Sequence, residues 1–579
     1  MKNRFATDFH GFARIFLALP ILVLLGGAVN AGSAEKTAQA DAIFVHGDIY
    51  TGLPGKRAQA IAVRGGRIVA VGSDVEIQKL KGKHTQVVDL GGHFVMPGFN
   101  DAHLHLAAGG IDYLQVNLLG VRSLEGMKAR IADWAKKTPS DEWLQGRGWD
   151  ETLWTNSTLP TRQDIDVVLA GHPAVFQRVD GHIALLNSAG LKAMGITAQT
   201  PDPAGGKIDR DAAGEPTGIV RESMRNLVLA RLLHPTPAQR RRGIEMALAE
   251  AARWGLTSAQ DSLSVEGDPT EWDNFLVYED LEREGKLTVR VSQWLPFDDP
   301  LDILQKHRAR HLRKDPALHV GLLKAYLDGA VGSRTAALEA PYADDPGNTG
   351  LARYDQAKLN QMAVERVRAG FQLGFHAIGD RAVAMALDAF AEAKRDARQR
   401  GEGPAQGSRF RVEHAQVTTP EQVKRFGELG VIASMQPNHL LTDMRWAEAR
   451  LGQQRAAHSY AWKEFLDAGV PLAFGTDYPV EPITPFRGLY AAVTRRSEDG
   501  KHEYFPEQRL TIEQAIAAYT TGSAYAEFAE DDKGLLQPGM LADFVVLDRD
   551  ITRVEPAAIL KTQVLRTVVG GKTAYELSH

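Results

Sequence analysis

The sequence predicts an α/β protein, a TIM (β/α)8 barrel with a composite β-sandwich domain drawn from both chain ends and a large insertion after barrel strand 1. Three observations predict it. Short apolar, β-rich runs alternate with helical patterns through the middle of the chain. Both ends carry β-rich runs punctuated by glycine instead. An excess of roughly 130 residues, far more than a βα loop needs, separates the first two middle strands. An open doubly wound sheet is the alternative, and it is weakened because no Gly-rich phosphate loop follows the first strand.

Taken in order, residues 1–34 read as a signal peptide. Lys2, Arg4 and Arg14 precede an apolar run over 15–25, and small residues then place cleavage after Ala31 or Ala34. A bilayer span needs about 20 residues, so export to the periplasm fits better than an uncleaved anchor. No later segment has the length and apolarity of a membrane span, so the mature chain is expected to lack one. Residues 35–92 form the N-terminal part of the β domain, with runs such as Ala42-Ile-Phe-Val and Arg67-Ile-Val-Ala-Val-Gly. Residues 529–579, with Asp543-Phe-Val-Val-Leu and Val564-Leu-Arg-Thr-Val-Val, complete it.

Between them, 93–117 is the first barrel strand region, 118–245 an inserted subdomain over the barrel mouth, and 246–528 the remaining barrel. Strand candidates begin near His93, Leu256, Leu287, His319, Phe371, Phe410, Val431 and Pro471. Helices are predicted over 272–285, 356–369, 382–398 and 421–429.

Composition narrows the chemistry. A charged fraction of 24% and a net charge of −5 leave no electrostatic footprint for nucleic acid. There is no cysteine, which excludes disulfides, thiolate metal sites and a Cys nucleophile. No Gly-x-Ser-x-Gly elbow occurs.

The stretch Val95-Met-Pro-Gly-Phe-Asn-Asp-Ala-His103-Leu-His105 reads as an apolar strand ending in two imidazoles spaced i, i+2, which share a face. Two neutral imidazoles are half of a zinc-type site. The other strand ends supply more: Leu322-Leu-Lys324, Gly374-Phe-His376, Val412-Glu-His414 and Gly475-Thr-Asp477. Singly, each has a plain reading, such as a lysine paired with a nearby carboxylate like Asp328, or an Asp capping a helix. Four histidines, one Lys and one Asp at the C-terminal ends of barrel strands together indicate a metal site. Residues that could meet a substrate are Trp149, Asp150, Asp180, His182 and Asn187 in the insertion, Arg334 after strand 4, and Asn438 and His439 after strand 7.

Pro97-Gly-Phe-Asn-Asp-Ala-His-Leu-His, Phe375-His-Ala-Ile-Gly-Asp-Arg, Glu413-His-Ala-Gln, Gly475-Thr-Asp-Tyr-Pro-Val and the stretch from Lys324 to Gly332-Ser-Arg-Thr-Ala resemble the amidohydrolase superfamily of metal-dependent hydrolases. Their wording is similar to the branch containing N-substituted formamide deformylase. The resemblance implies a binuclear centre, most simply two Zn2+. His103, His105 and Asp477 would hold one ion, His376 and His414 the other, and Lys324 would bridge them as a carbon dioxide-derived carbamate. It implies Asp477 as the catalytic base and a metal-activated hydroxide that cleaves the non-peptide C–N bond of a small amide substrate, an N-substituted formamide or N-acyl compound.

Alternatives stay open at this point. Without the carbamate, a single-metal site remains, and manganese, iron or cobalt suit the donor set as well. The same fold could serve dipeptides, lactones or carbamates, or a catalytically silent binding protein. Assembly as a homodimer is compatible with the sequence.

Overall fold

The computed structural model describes residues 39–578, apart from 140–141, 157, 170, 179–182, 204–205, 233–234, 263–270, 312–314, 333 and 402–408. Eight parallel strands form the barrel: β1 (Phe99–Leu104), β2 (Leu256–Ser262), β3 (Arg290–Pro296), β4 (Leu318–Tyr326), β5 (Leu373–Ala377), β6 (Arg411–His414), β7 (Ile432–Met435) and β8 (Leu472–Phe474). They pair in chain order from β1 through β8. Nearly every strand residue is buried, as expected where helices cover the outside and side chains fill the inside.

The ladder is not continuous between β8 and β1. The seam is closed by other means, and they matter for the site. The Asp477 amide donates to the His103 carbonyl at 2.7 Å, and the His105 amide to the Tyr478 carbonyl at 2.7 Å. The buried Asp101 carboxylate, on β1, accepts from the Thr476 amide at 3.0 Å and the Thr476 hydroxyl at 2.6 Å.

The covering helices start and stop where local chemistry directs. Pro420–Leu429 opens on Thr419, whose hydroxyl accepts from the Gln422 amide in a capping box, and ends at Gly430 in the left-handed region. Pro237–Arg253 opens on a Thr236/Gln239 box with proline in its first turn. Asp380–Gln399 turns Val383, Ala386, Leu387, Phe390, Ala393 and Ala397 inward, at helical spacing.

The first barrel strand departs from the sequence expectation. Phe94–Pro97 belongs to a separate sheet, between Asp48–Tyr50 and Phe544–Leu547, and only Phe99–Leu104 enters the barrel. One apolar run serves two sheets because it breaks at Pro97-Gly98: proline lacks a donor, and a Cβ at Gly98 would lie 2.2 Å from the Thr257 side chain. His105 therefore sits beyond the strand, as the residue before the helix Leu106–Asp112.

The six-stranded sheet containing Phe94–Pro97 runs in order Lys572–Glu576, Val564–Val569, Phe544–Leu547, Phe94–Pro97, Asp48–Tyr50, Arg57–Ala58, so both chain ends build it. It packs with a four-stranded sheet of Ala42–Val45, Ala60–Arg64, Arg67–Gly72 and Gln86–Asp89 around Phe44, Ile49, Ile61, Val95 and Phe544. The insertion has its own six-stranded sheet, from Val116–Asn117 to Pro216–Glu222, over a core including Leu118, Trp149, Trp154 and Phe176. Among the described residues no helix is long and apolar enough to cross a membrane.

The barrel floor is pinned by a charge. Glu527, entirely buried, accepts from Asn100 Nδ2 at 2.6 Å, lies 2.8 Å from Lys533 Nζ and 3.4 Å from His319 Nε2. It ties the starts of β1 and β4 to the segment that returns to the β domain.

Candidate metal centre

The six residues singled out as ligands meet at the C-terminal ends of β1, β4, β5, β6 and β8. His103 Nε2 accepts from Lys324 Nζ at 3.1 Å. Asp477 Oδ1 lies 3.6 Å from His103 Nε2 and 3.4 Å from His105 Nε2. The His414 ring centroid is 4.8 Å from that of His103 and 4.5 Å from that of His376. One donor atom each from His103, His414 and Asp477 lie within 4.8 Å of one another.

Two ligand positions lie in unusual backbone. His414, the last residue of β6, has φ 76° and Asp477, just past β8, φ 58°, both positive values that non-glycine residues seldom adopt. Such residues cost about 1–3 kcal/mol each and persist where surrounding structure over-determines them. Here the Asp477 amide is held by the His103 carbonyl and the Ala415 amide by the Ala377 carbonyl, at 3.1 Å.

Burial is the largest influence on the titratable groups of the cluster. Burial pushes the His103 imidazolium down to about 4, with Lys324 adding to the effect, and holds His414 well below its ordinary value. Burial lowers Lys324 to about 8, against the pull of Glu413 and Asp477. For Asp477 burial pushes upward, but the surrounding histidines outweigh it and keep the carboxylate ionised. Neutral imidazoles beside an ionised carboxylate form a cation-binding donor set. The buried atoms His105 Nδ1, His376 Nδ1, His414 Nδ1 and Asp477 Oδ1 have no hydrogen-bond partner, which fits a site built to hold an ion.

Several supporting residues were not singled out from the sequence. Glu413, fully buried, accepts from His103 Nδ1 at 2.8 Å. Arg411 Nε lies 2.8 Å from Glu413, and the same guanidinium donates to Gln260, the Ala102 carbonyl and Ser434 under the Trp294 ring. His439, read from the sequence as a weak substrate contact, instead donates from Nε2 to Asp477 Oδ2 at 3.0 Å. The sequence hid Glu413: alternation would put Glu413 and His414 on opposite faces, and both reach the site only because His414 departs from extended backbone, with φ 76°.

Other expectations are corrected. Asp328 is not the partner of Lys324: its carboxylate accepts from the amides of Ala337, Ile378 and Gly379 and lies 3.1 Å from His376 Nδ1. Trp149 is not a substrate contact; it is fully buried in the insertion core and donates to the Phe176 carbonyl at 2.8 Å. Asp150 lies 3.3 Å from Arg178 within the insertion. Arg334 is engaged on its Nε–Nη2 edge by Asp344, at 3.1 and 2.7 Å. Asn438 is buried and donates to the Thr476 carbonyl at 2.9 Å, so it braces the β7–β8 ends. Asn187 caps the helix Ser188–Met194. Asp180 and His182 lie outside the described residues.

A barrel with convergent His, Asp and Lys side chains at its C-terminal mouth defines a metal-dependent hydrolase. The amidohydrolase family profile matches residues 86–575, and the chain belongs to that family. It is a hydrolase of carbon–nitrogen bonds other than peptide bonds. It is similar to the protein LONG AFTER FAR-RED 3 of Arabidopsis thaliana, 34% identical over 93% of this chain and 92% of that protein. N-substituted formamide deformylase of Arthrobacter pascens is 27% identical over 90% of this chain and 95% of the enzyme. A solved structure of an uncharacterized metal-dependent hydrolase from Pyrococcus horikoshii OT3 superposes with a TM-score of 0.72, at 28% identity, covering 89% of this chain and 99% of that one.

Proposed function

We propose that this chain hydrolyses the amide-type bond of a small non-peptide substrate, an N-substituted formamide or N-acyl compound, with two divalent metal ions, most simply zinc. The observation that carries the reading is the meeting of His103, His414 and Asp477 donor atoms within 4.8 Å, beside a buried Lys324. His103, His105 and Asp477 would hold one ion and His376 and His414 the other, with Lys324, carboxylated by carbon dioxide on Nζ, bridging the two. When bound, such ions polarise a carbonyl oxygen and lower the pKa of water toward neutrality.

The chain's own groups then have separate tasks. Asp477, ionised and set between His103 and His105, accepts a proton from water and returns it to the leaving nitrogen. His439 holds the Asp477 carboxylate by Oδ2 at 3.0 Å, which fixes its orientation. Burial disfavours the Lys324 ammonium, and the neutral amine is the form that adds carbon dioxide, losing one proton to give the carbamate anion. The similarity to N-substituted formamide deformylase supports the formamide class. Residues 1–34 are proposed to direct export to the periplasm; they lie outside the described residues.

The test is a substrate panel on metal-loaded protein: N-substituted formamides, other N-acyl amines, dipeptides, lactones and carbamates. Formate release with the highest kcat/KM on the formamides is expected. Faster turnover of dipeptides or lactones would overturn the substrate class.

A further inference from the structure

We propose that Glu413 and Asp328 are paired positioning residues, each orienting one ligand imidazole on a different ion: Glu413 through His103 and Asp328 through His376. The inference rests on the metal assignment proposed above and goes beyond it, since neither carboxylate is among the ligands.

Of the four ligand histidines, only these two have a carboxylate at Nδ1. Glu413 Oε2 lies 2.8 Å from His103 Nδ1, and Asp328 Oδ1 lies 3.1 Å from His376 Nδ1. The Nδ1 atoms of His105, His376 and His414 make no hydrogen bond, and of the three only His376 Nδ1 has a carboxylate oxygen beside it, so Asp328 acts on that ring as a close ion-pair neighbour. A carboxylate at Nδ1 keeps the proton on that nitrogen and turns the Nε2 lone pair outward, which is the tautomer a metal needs. For His103 the result is visible, because Nε2 is the atom facing Lys324 Nζ at 3.1 Å. Gln436 Nε2 competes for the same Nδ1 at 3.3 Å, but the shorter, charge-assisted bond to Glu413 dominates.

The two carboxylates are themselves held by different means. Arg411 neutralises Glu413 and anchors it to β1, β2 and β7 through Ala102, Gln260 and Ser434. Three backbone amides grip Asp328, from Ala337, Ile378 and Gly379. Neither carboxylate is exposed: Glu413 is 0% and Asp328 1% accessible. Fixed in this way, each carboxylate is placed to orient the ring beside it.

The test is zinc binding by metal-free protein, in competition with a chromophoric chelator. Glu413→Gln is expected to weaken one ion about 10- to 100-fold and leave the other, and Asp328→Asn to do the same to the second. The double variant should then bind both weakly. Single variants that hold both ions as tightly as wild type, while the metal-free protein melts earlier, would overturn the proposal in favour of a purely structural role. A double variant that keeps one tight ion would overturn the one-carboxylate-per-ion assignment. If Glu413→Gln does not fold, Glu413→Asp keeps the Arg411 charge pair but retracts the oxygen from His103, and unchanged affinity there overturns the proposal equally. Wild-type protein that takes up no zinc would instead bring down the binuclear reading itself.

Discussion

A methyl group at Gly475 has no room. Gly475 lies on the β8 side of the barrel seam, and a Cβ there would sit 2.4 Å from the His103 amide nitrogen, 2.8 Å from the His103 carbonyl oxygen and 2.7 Å from Asp101 Oδ1. Its φ is not in the left-handed region, so alanine is conformationally acceptable and the conflict is purely one of space. Two of the three opposing atoms are backbone and cannot rotate away. Ordinary contact begins at 3.4 Å, so the strands must part by about 1 Å, the difference from 2.4 Å. Overpacking of this kind costs about 1–3 kcal/mol, and much of it would be relieved by opening the seam. The displaced atoms belong to His103, and the seam bonds of Asp477 and His105 move with it. A misplacement of about 1 Å among reacting groups lowers rates about 100-fold. Gly475→Ala is therefore expected to fold, to bind metal more weakly, and to lose about two orders of magnitude in kcat/KM. Circular dichroism, elemental analysis and steady-state kinetics measure the three. A variant with wild-type kcat/KM and full metal content would refute the claim that the seam assembles the site.

Three further outcomes follow from the same geometry. Asp477→Asn should lower kcat/KM by about 10²–10⁴ with an unchanged circular dichroism spectrum, and wild-type turnover would remove Asp477 as the base. Lys324→Ala should bind fewer than two metal equivalents; two retained equivalents would exclude a bridging role. At the barrel floor, burial pushes Glu527 up, but Lys533 and His319 outweigh it and hold the carboxyl at about 2, against an ordinary 4.5. A depressed carboxyl stabilises the fold fully above its unfolded pKa and loses that contribution as pH falls toward 2. The full contribution is about 3 kcal/mol near neutrality and about 1 kcal/mol near pH 3. The stability gap between wild type and Glu527→Gln, from denaturant midpoints, should narrow accordingly on acidification; a gap independent of pH would contradict the assignment.

The barrel was legible because its signals are local. Parallel strands buried on both faces leave continuous apolar runs such as Leu318–Tyr326, and capping residues such as Thr419 and Gly430 mark helix ends. The meeting of His103, Lys324, His376, His414 and Asp477 was legible because such residue types are sparse at strand ends. What escaped depends on contacts between distant segments. Phe94–Pro97 reads as barrel strand until its neighbours, Asp48–Tyr50 and Phe544–Leu547, are known. Trp149 resembles a binding aromatic in sequence, but its role follows from a core assembled from Val116 to Ile219. Arg334 is paired with Asp344, and Asp328 with amides just after β5 and in the loop after β4. Glu413 and Arg411, two residues apart on one inward-facing strand, become a brace for His103 only once β1 and β6 face each other across the barrel.

The central claim is that six side chains at the mouth hold two metal ions. Metal content per chain, by elemental analysis of protein purified without chelators, tests it most directly. About two equivalents of zinc are expected. A single equivalent would contradict the bridged pair and leave Lys324 a structural lysine, and none, with no activity restored by added metal, would contradict the metal centre altogether.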